Sequence, residues 1–288
     1  MRARAPASSA NLGPGFDVLA VALDRYVQVE VEPAAALRVH SEGEGAGLFD
    51  DASHLAARVA SSVLGHDRIS VTVRSQIPVA RGLGSSAALA AAAAAAAGAE
   101  DPFAIAAAHE GHPENAAASV FGGLVAATTV DGRAEYAPLP LSEALAFVVI
   151  IPERNLSTPE ARRLLPETLS ASDATFNLGR MGLLLAGLAE PVHLVSAATE
   201  DRIHQTPRTA LFPEAPELLA ALVEAGALAS CWSGAGPTLL GIAQASNAAA
   251  VQAGAEAALR RSGLDGTTAV LQADRRGLVY GDEAELPA

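Results

Sequence analysis

The stretch that most constrains this chain is a glycine-serine turn that leads into an alanine tract, IPVARGLGSSAALAAAAAAAA at residues 77–97. Alanine is the strongest helix former, whereas glycine and serine favour turns and helix starts. A helix start leaves backbone N–H groups without partners and carries partial positive charge. The pattern therefore predicts a helix with a phosphate-binding position at its start. An ordinary glycine turn with a serine N-cap is the simpler interpretation, and the context has to decide between them.

The alanine tract itself, Ala87–Ala97, is too short and too weakly hydrophobic to span a bilayer, which requires about 20 apolar residues. It is therefore predicted to be a buried or half-buried helix. The N-terminal sequence MRARAPASSANLGPGFD has no apolar segment typical of a signal peptide. The single cysteine, Cys231, excludes an internal disulfide and fits a reducing compartment. We expect a cytoplasmic protein.

Composition and charge restrict the class of partner. Hydrophobic residues make up 50% of the 288 residues and charged residues 18%, which indicates a globular chain of one large or two modest domains. The net charge of −13 argues against nucleic acid or an anionic membrane as the main partner, because both require a basic surface. An acidic chain can still bind ATP locally.

The chain contains no lysine, so all 19 of its Lys and Arg residues are arginine. P-loop nucleotidases, ordinary protein kinases and Schiff-base enzymes all depend on a lysine. These classes are therefore excluded. If the chain handles phosphate, glycine backbone groups, arginines and a metal ion must do so.

Apolar periodicity predicts a mixed fold in which strands and helices alternate. Strands are predicted at Arg25–Glu32 and Arg68–Pro78, and a helix is predicted from an N-cap at Ser53 to Leu64. A domain boundary is predicted near Pro138–Ser142, which divides the chain into residues 1–140 and 141–288. The other predicted strands are Gly122–Val130, Leu145–Pro152, Thr268–Asp274 and a strand-turn-strand at Ala229–Ala243, and the other predicted helices are Thr158–Leu165, Thr175–Ala189, Glu217–Leu228 and Asn247–Gly263.

Two further stretches of small residues could form turns near a site. PASSANLGPGFDVLAVAL, Pro6–Leu23, places the amide of Asn11 and the carboxylate of Asp17 among turn formers. By itself it is more typical of a loop with an Asx turn. WSGAGPTLLGIA, Trp232–Ala243, is typical of a hairpin or a strand-helix turn.

The stretch HEGHPENAAASVFGG at residues 109–123 carries two histidines and two carboxylates. Zinc binding is one interpretation, but the spacing differs from a metalloprotease helix and Pro113 breaks such a helix. A solvated junction between a helix and a loop, or carboxylates that bind a hard cation, is favoured over zinc. His109 and His112 are expected to be helix-end or loop residues rather than catalytic groups.

These stretches together resemble the GHMP kinase superfamily, and within it the homoserine kinase family. The matching motifs are PASSANLGPGFD, IPVARGLGSSAA, EGHPENAA followed by FGGLV, STPEAR, DRIHQTPRTALFP and SGAGPT, which extend over residues 6–238. The resemblance implies an α+β GHMP kinase fold, in which an N-terminal domain like domain 2 of ribosomal protein S5 is followed by a ferredoxin-like domain. It also implies a nucleotide loop that needs no lysine.

The resemblance also implies roles for individual residues. Asn11 and Asp17 would contact an amino-acid substrate, with Asp17 on its ammonium group, and Arg162 and Arg208 would hold its carboxylate. Asn115 would shape the phosphate pocket and act in catalysis together with the two arginines. Ser86 and Glu110 would bind Mg²⁺, and the nucleotide loop would comprise Pro78, Val79, Ala80, Arg81, Gly82, Leu83, Gly84, Ser85, Ser86, Ala87 and Ala88.

The activity implied by the resemblance is ATP-dependent phosphorylation of L-homoserine to O-phospho-L-homoserine, a step toward threonine, by an enzyme that forms a homodimer. Some members of the superfamily use an aspartate as general base, and no equivalent of that aspartate is identified in this sequence. The chain departs from the family pattern at Glu114, where Asp is usual, at Gln205, where Glu is common, and in NAAAS, where NVAPA is usual. Two alternatives stay open: a GHMP kinase for another alcohol, and a binding or regulatory protein without catalysis.

Overall fold

Two β-sheets organise the chain, whose computed structural model describes residues 1–287. The first sheet has seven strands and the second has four. Strands of the first sheet are β1 Arg2–Asn11, β2 Gly15–Pro33, β3 Arg38–Gly43, β4 Ile69–Ser75, β5 Leu124–Val130, β6 Arg133–Leu139 and β11 Val279–Tyr280. Strands of the second are β7 Leu145–Pro152, β8 Ala229–Trp232, β9 Leu239–Gln244 and β10 Gly266–Leu271.

The first sheet is built on a long antiparallel hairpin of β1 and β2, with β5 and β6 paired beyond β2. The loop expected over Pro6–Leu23 is therefore wrong in extent, because only residues 12–14 form the turn. The small residues of this stretch are needed for packing, since Ala7, Ser8 and Ala10 are fully buried or nearly so. Asn11 Oδ1 accepts a hydrogen bond at 3.0 Å from the N–H of Asp17, which lies six residues further on rather than the two residues of the expected Asx turn.

Four helices pack with the first sheet, and the alanine helix α2 lies among them. The helices are α1 Leu55–Leu64, α2 Ser85–Ala96, α3 Pro102–Glu110 and α4 Glu114–Phe121. Every alanine of α2 is buried, which confirms the predicted buried helix. A helix that is apolar on all sides has to lie inside the protein, and methyl side chains let its neighbours approach closely.

One helix start differs from the sequence prediction. The N-cap of α1 is His54, whose Nδ1 accepts from the Ala56 N–H at 3.1 Å, and the cap expected at Ser53 is wrong. The Ser53 hydroxyl donates instead to Asp51 Oδ1 at 2.6 Å, in a turn before the helix. An aspartate two residues earlier has therefore taken the hydroxyl that would cap the helix.

The second sheet has the ferredoxin-like order β10-β7-β9-β8, with all strand pairs antiparallel. Its chain order is β7, α8 (Ala215–Glu224), β8, β9, α9 (Ala248–Ser262) and β10. This is two strand-helix-strand units with their strands interleaved. A long insertion between β7 and α8 carries α5 (Thr158–Arg163), α6 (Ala171–Ala189) and α7 (Gln205–Arg208). The mixed α+β fold is confirmed.

The strands before residue 140 lie in the first sheet, and β7 to β10 form the second. Strand β11 then returns to the first sheet and pairs antiparallel with β1. The division into residues 1–140 and 141–288 stays a prediction. Among residues 1–287, no helix has the length and apolar character needed to cross a membrane.

Candidate active site

A cavity of about 340 Å³ lies at the N-terminus of α2, where the two sheets meet. We call it the site cavity. It is lined by residues from β1, the nucleotide loop, the ends of α3 and α4, the start of α5, α7 and the β8–β9 turn. It brings together every residue that the resemblance assigned to substrate, metal and catalysis: Asn11, Asp17, Ser86, Glu110, Asn115, Arg162 and Arg208.

The predicted nucleotide loop is divided by its position around the site cavity. Six of its residues line the cavity: Val79, Ala80, Gly82, Gly84, Ser85 and Ser86. Pro78 and Arg81 line a neighbouring surface cavity instead. Leu83, Ala87 and Ala88 are buried beneath the loop. The loop therefore meets the site cavity with small side chains and backbone.

The glycines of the loop are required by close packing. Gly84 has φ 65° and is the N-cap of α2, and a Cβ there would collide with Ser8 Oγ. Gly82 has φ 79°, and a Cβ there would collide with the Ser233 carbonyl. Left-handed backbone of this kind favours glycine. The loop thus packs closely between β1 and the β8–β9 turn.

The two serines do not cap α2, contrary to one of the roles expected from the sequence. Ser85 and Ser86 are the first residues of the helix, and no side chain caps it. Their hydroxyls line the site cavity. The first intrahelical hydrogen bond runs from the Ala88 N–H to the Gly84 carbonyl at 3.0 Å. The N–H groups of Ser85, Ser86 and Ala87 precede it, as a phosphate-binding helix start requires.

Within the site cavity, Arg162 forms a double hydrogen bond with Asp17. Arg162 Nη1 donates to Asp17 Oδ2 at 2.9 Å, and Nη2 donates to Oδ1 at 2.7 Å. The hydrogen bond that Arg162 donates to Asp17 raises the pKa of Arg162. Both side chains are about one third exposed, at 35% and 32%. The pair therefore faces the cavity and can be reached by a ligand.

Arg208 is the buried arginine of the site, with 2% of its surface exposed. Its Nη1 donates to the Gly234 carbonyl at 2.7 Å, and Asn11 Nδ2 donates to the same oxygen at 2.9 Å. Burial lowers the pKa of Arg208 to about 10, so the guanidinium stays protonated at neutral pH. The β8–β9 turn thus connects two residues that the sequence assigned to substrate.

Glu114 and Asn115 are buried, so the solvated junction expected here is wrong. Helix α4 begins at Glu114, and the side chains of its first turn point inward. Glu114 Oε1 accepts from His112 Nδ1 at 2.8 Å and from Asn115 Nδ2 at 3.0 Å. The hydrogen bond to Glu114 raises the pKa of His112. Glu114 Oε2 is buried without a partner among residues 1–287.

Sequence reasoning missed several residues that line the site cavity. His112 is one of them. Leu156 and Ser157 precede α5, Thr158 begins it, and the β8–β9 turn supplies Gly234, Ala235 and Gly236. His112 was expected to be a helix-end or loop residue rather than a catalytic group. A usable signal was the position of HPEN, which begins two residues after Glu110, because residues close in sequence to a predicted metal ligand are expected near the same cavity.

The zinc interpretation can be compared with the geometry. One ligand atom each from Asp17, His112 and Glu114 lies within 4.8 Å of the others. Both Asp17 oxygens already accept from Arg162, and His112 Nδ1 already donates to Glu114. A cation there would compete with an arginine. The hydroxyl of Ser86 and the carboxylate of Glu110 are hard oxygen donors of the type that Mg²⁺ prefers, and both line the cavity.

A second cavity of about 220 Å³ adjoins the site cavity, and we call it the apolar cavity. Val79, Ser85 and Ser86 line both cavities. The shared wall is therefore the start of α2. The remaining wall of the apolar cavity includes Val27, Leu48, Phe49, His54, Leu55, Val73 and Leu89.

Comparison with known proteins identifies the family of the chain. The profile of the GHMP kinases N terminal domain matches residues 52–123, and that of the GHMP kinases C terminal matches residues 182–261. Homoserine kinase of Thermus thermophilus is 41% identical over 258 residues, which cover 85% of this chain and 88% of that protein. Homoserine kinase of Mycolicibacterium smegmatis is 42% identical over 262 residues, covering 82% of each chain.

Solved structures give the same result. The crystal structure of homoserine kinase from Cytophaga hutchinsonii matches with a TM-score of 0.83 and 25% identity, over 97% of this chain and 96% of that one. L. major mevalonate kinase shares the fold, with a TM-score of 0.65 at 13% identity, over 93% of this chain and 95% of that one. With its two domain matches and its relatives above 40% identity over most of its length, the chain belongs to the GHMP kinase family, as one of the homoserine kinases.

Proposed function

We propose that this chain transfers the γ-phosphoryl group of ATP to the side-chain hydroxyl of L-homoserine, giving O-phospho-L-homoserine. The observation that carries the proposal is the composition of the site cavity. The carboxylate of Asp17 and the guanidinium groups of Arg162 and Arg208 line the same space as the start of α2. A zwitterionic amino acid and a phosphate chain therefore find complementary groups within one cavity. Phosphorylation of homoserine is a step toward threonine.

The ion pair of Asp17 and Arg162 is well suited to a zwitterion. The substrate ammonium would replace Arg162 on Asp17, and the substrate carboxylate would replace Asp17 on Arg162. Both charges of the pair keep an opposite partner in this exchange, so neither is left unpaired in the cavity. Asn11 holds Asp17 in place through the hydrogen bond to its N–H. The substrate hydroxyl stays free to face the γ-phosphate.

The nucleotide would lie across the start of α2. Backbone N–H groups of Ser85, Ser86 and Ala87 are available for phosphate oxygens. The apolar cavity is lined by aliphatic and aromatic side chains, including Leu48, Phe49 and Leu89, and would take the flat adenine ring. Because the two cavities share Val79, Ser85 and Ser86, a base in one directs its phosphates into the other.

The donor set of the site cavity fits Mg²⁺ held by the Ser86 hydroxyl and the Glu110 carboxylate. When bound, the ion would neutralise charge on the β- and γ-phosphate oxygens. Phosphoryl transfer has a loose transition state, so the contribution of the chain is alignment and charge stabilisation. Arg162 and Arg208 supply positive charge, and Asn115, held by Ser8 and Glu114, shapes the phosphate end of the cavity.

A general base is not required by this arrangement. Glu114 is the residue that would overturn that statement, because its Oε2 is buried and has no partner among residues 1–287. The decisive variant is Glu114→Gln, which keeps the shape of the side chain. Turnover that is lost while ATP and homoserine still bind would assign Glu114 as a base. Retained turnover supports catalysis by alignment.

Substrate identity is tested by ADP release with MgATP. L-homoserine is compared with D-homoserine, L-serine, L-threonine, mevalonate and galactose. Turnover that depends strongly on L-homoserine supports the proposal, and turnover on another alcohol keeps the kinase and discards the substrate. An isoprenoid alcohol would need a more apolar pocket than Asp17, Arg162 and Arg208 provide. ATP binding without turnover on any alcohol would favour a regulatory protein instead.

We also infer a homodimer in the cytoplasm. Apolar side chains are exposed on α6 and shortly after it, at Leu178, Leu183, Val192 and Val195, and exposed apolar surface is typical of contact surfaces. Light scattering on the wild type and on Leu178→Glu provides the test. A wild-type dimer that the substitution dissociates supports the inference, whereas a wild-type monomer contradicts it. The one cysteine, Cys231, is buried and free, as expected in a reducing compartment.

A further inference from the structure

His204 contacts Arg208 in the interior of the protein. It precedes α7 and has no exposed surface. Its Nε2 is 2.8 Å from the Gly13 carbonyl oxygen, and its Nδ1 is 2.9 Å from Arg208 Nη1. Both nitrogens of the ring therefore have a hydrogen-bond partner: Nε2 contacts the β1–β2 turn and Nδ1 contacts Arg208.

The chemistry of the two partners defines the tautomer of His204. A carbonyl oxygen can only accept, so Nε2 carries the proton and donates to Gly13. A guanidinium can only donate, so Nδ1 has a free lone pair and accepts from Arg208. A protonated imidazole would lose this acceptor and place two cations in contact. The arrangement requires a neutral ring.

The surroundings keep the ring neutral. Burial is the main cause, and it lowers the pKa of His204 to about 4; Arg208 acts in the same direction. Asp201 opposes this shift with a carboxylate oxygen 3.7 Å from Nε2. That carboxylate already accepts from the backbone N–H groups of Ile203, His204 and Gln205, at 2.6, 2.6 and 3.1 Å. Asp17 also raises the pKa of His204, and its contribution is the smallest.

The hydrogen bonds of Arg208 determine which edge of the guanidinium is free. Nη1 has two hydrogens, and they go to His204 Nδ1 and to the Gly234 carbonyl. Within the described residues, neither Nε nor Nη2 donates to a protein acceptor. The Nε and Nη2 edge of a guanidinium is one of its two-pronged donors for a carboxylate. Fixing Nη1 therefore leaves one such edge for the ligand.

Phe16 adds a second constraint. Its ring stacks on His204 with centroids 5.1 Å apart and an interplanar angle of 27°. The guanidinium carbons of Arg162 and Arg208 lie 5.5 and 5.7 Å from the centroid of the same Phe16 ring. The imidazole therefore holds Phe16 as well as Arg208, and both substrate arginines contact that phenyl ring.

We propose that His204 is a positioning residue: its neutral imidazole holds Nη1 of Arg208 so that the Nε and Nη2 edge faces the substrate carboxylate. The proposal rests on the function proposed above. It extends that function by assigning carboxylate selectivity to a residue that touches no ligand itself. Sequence motifs gave no role to His204.

Two substitutions of His204 test the hydrogen bonds of the two ring nitrogens separately. His204→Asn places an amide oxygen near the position of Nδ1, so it can accept from Arg208 but cannot reach Gly13. His204→Gln reaches the Gly13 carbonyl and removes the acceptor near Nδ1. We expect His204→Gln to weaken binding of L-homoserine about tenfold, as expected for a lost hydrogen bond to a charged group. We expect His204→Asn to stay within about threefold of the wild type, since its acceptor is kept.

The measurements are the dissociation constant of L-homoserine by calorimetry, with KM and kcat in parallel. ATP binding and thermal unfolding of each variant report loss of fold. His109→Gln is the matched control, because His109 is exposed and does not line the site cavity. The positioning role predicts that KM for homoserine rises in His204→Gln while kcat and KM for ATP stay near the wild type. Equal losses in both His204 variants, or loss of ATP binding in parallel, would overturn it.

A measurement on the unsubstituted protein does not depend on how the variants fold. Nitrogen-15 resonances of the imidazole, assigned by their loss in the variants, report the tautomer of His204 directly. The proposal expects a neutral ring with the proton on Nε2 throughout pH 6–8. A protonated ring, or a proton on Nδ1, would overturn it.

Failure of the proposed function gives a different pattern. A wild type that binds homoserine without phosphorylating it refutes the kinase substrate, while the order of the dissociation constants still decides the role of His204. A wild type that phosphorylates homoserine, with the same KM in both variants, refutes the positioning role alone. A wild type that does not bind homoserine refutes both.

Discussion

Arg162 and Asp17 bind each other across the site cavity through two parallel hydrogen bonds, at 2.9 and 2.7 Å. The partners lie 145 residues apart in the chain, on α5 and at the start of β2. Two parallel N–H to oxygen bonds fix the relative orientation of both side chains. Arg162 thus occupies the position that a ligand ammonium would take on Asp17. Asp17 likewise occupies the position that a ligand carboxylate would take on Arg162.

Replacement of Asp17 by Asn should weaken this site selectively. The amide keeps the shape but loses the charge that a substrate ammonium would pair with, so KM for L-homoserine should rise about 10- to 100-fold. KM for ATP should change little. The matched control is Asp173→Asn, which breaks an exposed pair with Arg202 at 3.0 Å outside the cavity. Steady-state kinetics of both variants provide the measurement, and an unchanged KM for homoserine in Asp17→Asn would contradict the assignment.

Replacement of Gly84 by Ala should damage the nucleotide loop. A Cβ at Gly84 has to occupy left-handed backbone and also collides with Ser8 Oγ, so the loop must move. Gly65→Ala is the control, because Gly65 has φ 73° and open space around its Cβ position. We expect Gly65→Ala to lose about 1 kcal/mol of unfolding free energy with an unchanged KM for ATP. Gly84→Ala should lose more stability and raise that KM; similar kinetics for both variants would contradict the loop assignment.

Replacement of Glu110 by Gln should change the dependence on Mg²⁺. A neutral amide is a weaker ligand for a hard divalent cation than a carboxylate, so the Mg²⁺ concentration for half-maximal turnover should rise about tenfold. Glu100→Gln serves as the control, since Glu100 is exposed and does not line the site cavity. Titration of Mg²⁺ at fixed ATP gives the comparison. Identical Mg²⁺ curves for the two variants would remove Glu110 from the metal site.

The contact of His112 with Glu114 should make stability depend on pH. The hydrogen bond to Glu114 raises the pKa of His112 above its ordinary value of 6.5. A group whose pKa is raised by folding contributes stability fully below its unfolded pKa, and that contribution is lost as pH rises through the folded pKa. Unfolding free energy from this pair should therefore fall as pH increases above 6.5, and Glu114→Gln should flatten that dependence. Denaturant titrations across this range, with an NMR titration of His112, measure both effects.

Local sequence was sufficient to predict α2 and its loop, because their properties are local. Helix propensity, the turn-forming glycines and the unpaired N–H groups at the start of α2 depend on residues close in sequence. The β1–β2 hairpin was harder to predict, since Ala7, Ser8 and Ala10 have weak strand propensity and are held in strands by burial. Tertiary packing overrides propensity at these positions.

The fold followed from the motifs that resemble a known family, and the same motifs contain the residues that the structure brings to the site cavity. Burial of Glu114 could not be predicted, because a carboxylate in a turn sequence is ordinarily solvated. His204 gave even less signal. Its partner Gly13 lies 191 residues away in the chain, and only the folded chain brings the β1–β2 turn to α7.

The pairing of β11 with β1 has a consequence for synthesis of the protein. The second sheet can be completed as soon as residue 271 is available, because its last strand, β10, ends there. Strand β1 emerges first, yet the part of its outer edge at Ala3 and Arg4 has no strand partner until residues 279 and 280 arrive. A nascent chain therefore carries an open strand edge for nearly the whole of translation, which is when intermolecular strand pairing and aggregation are most favoured.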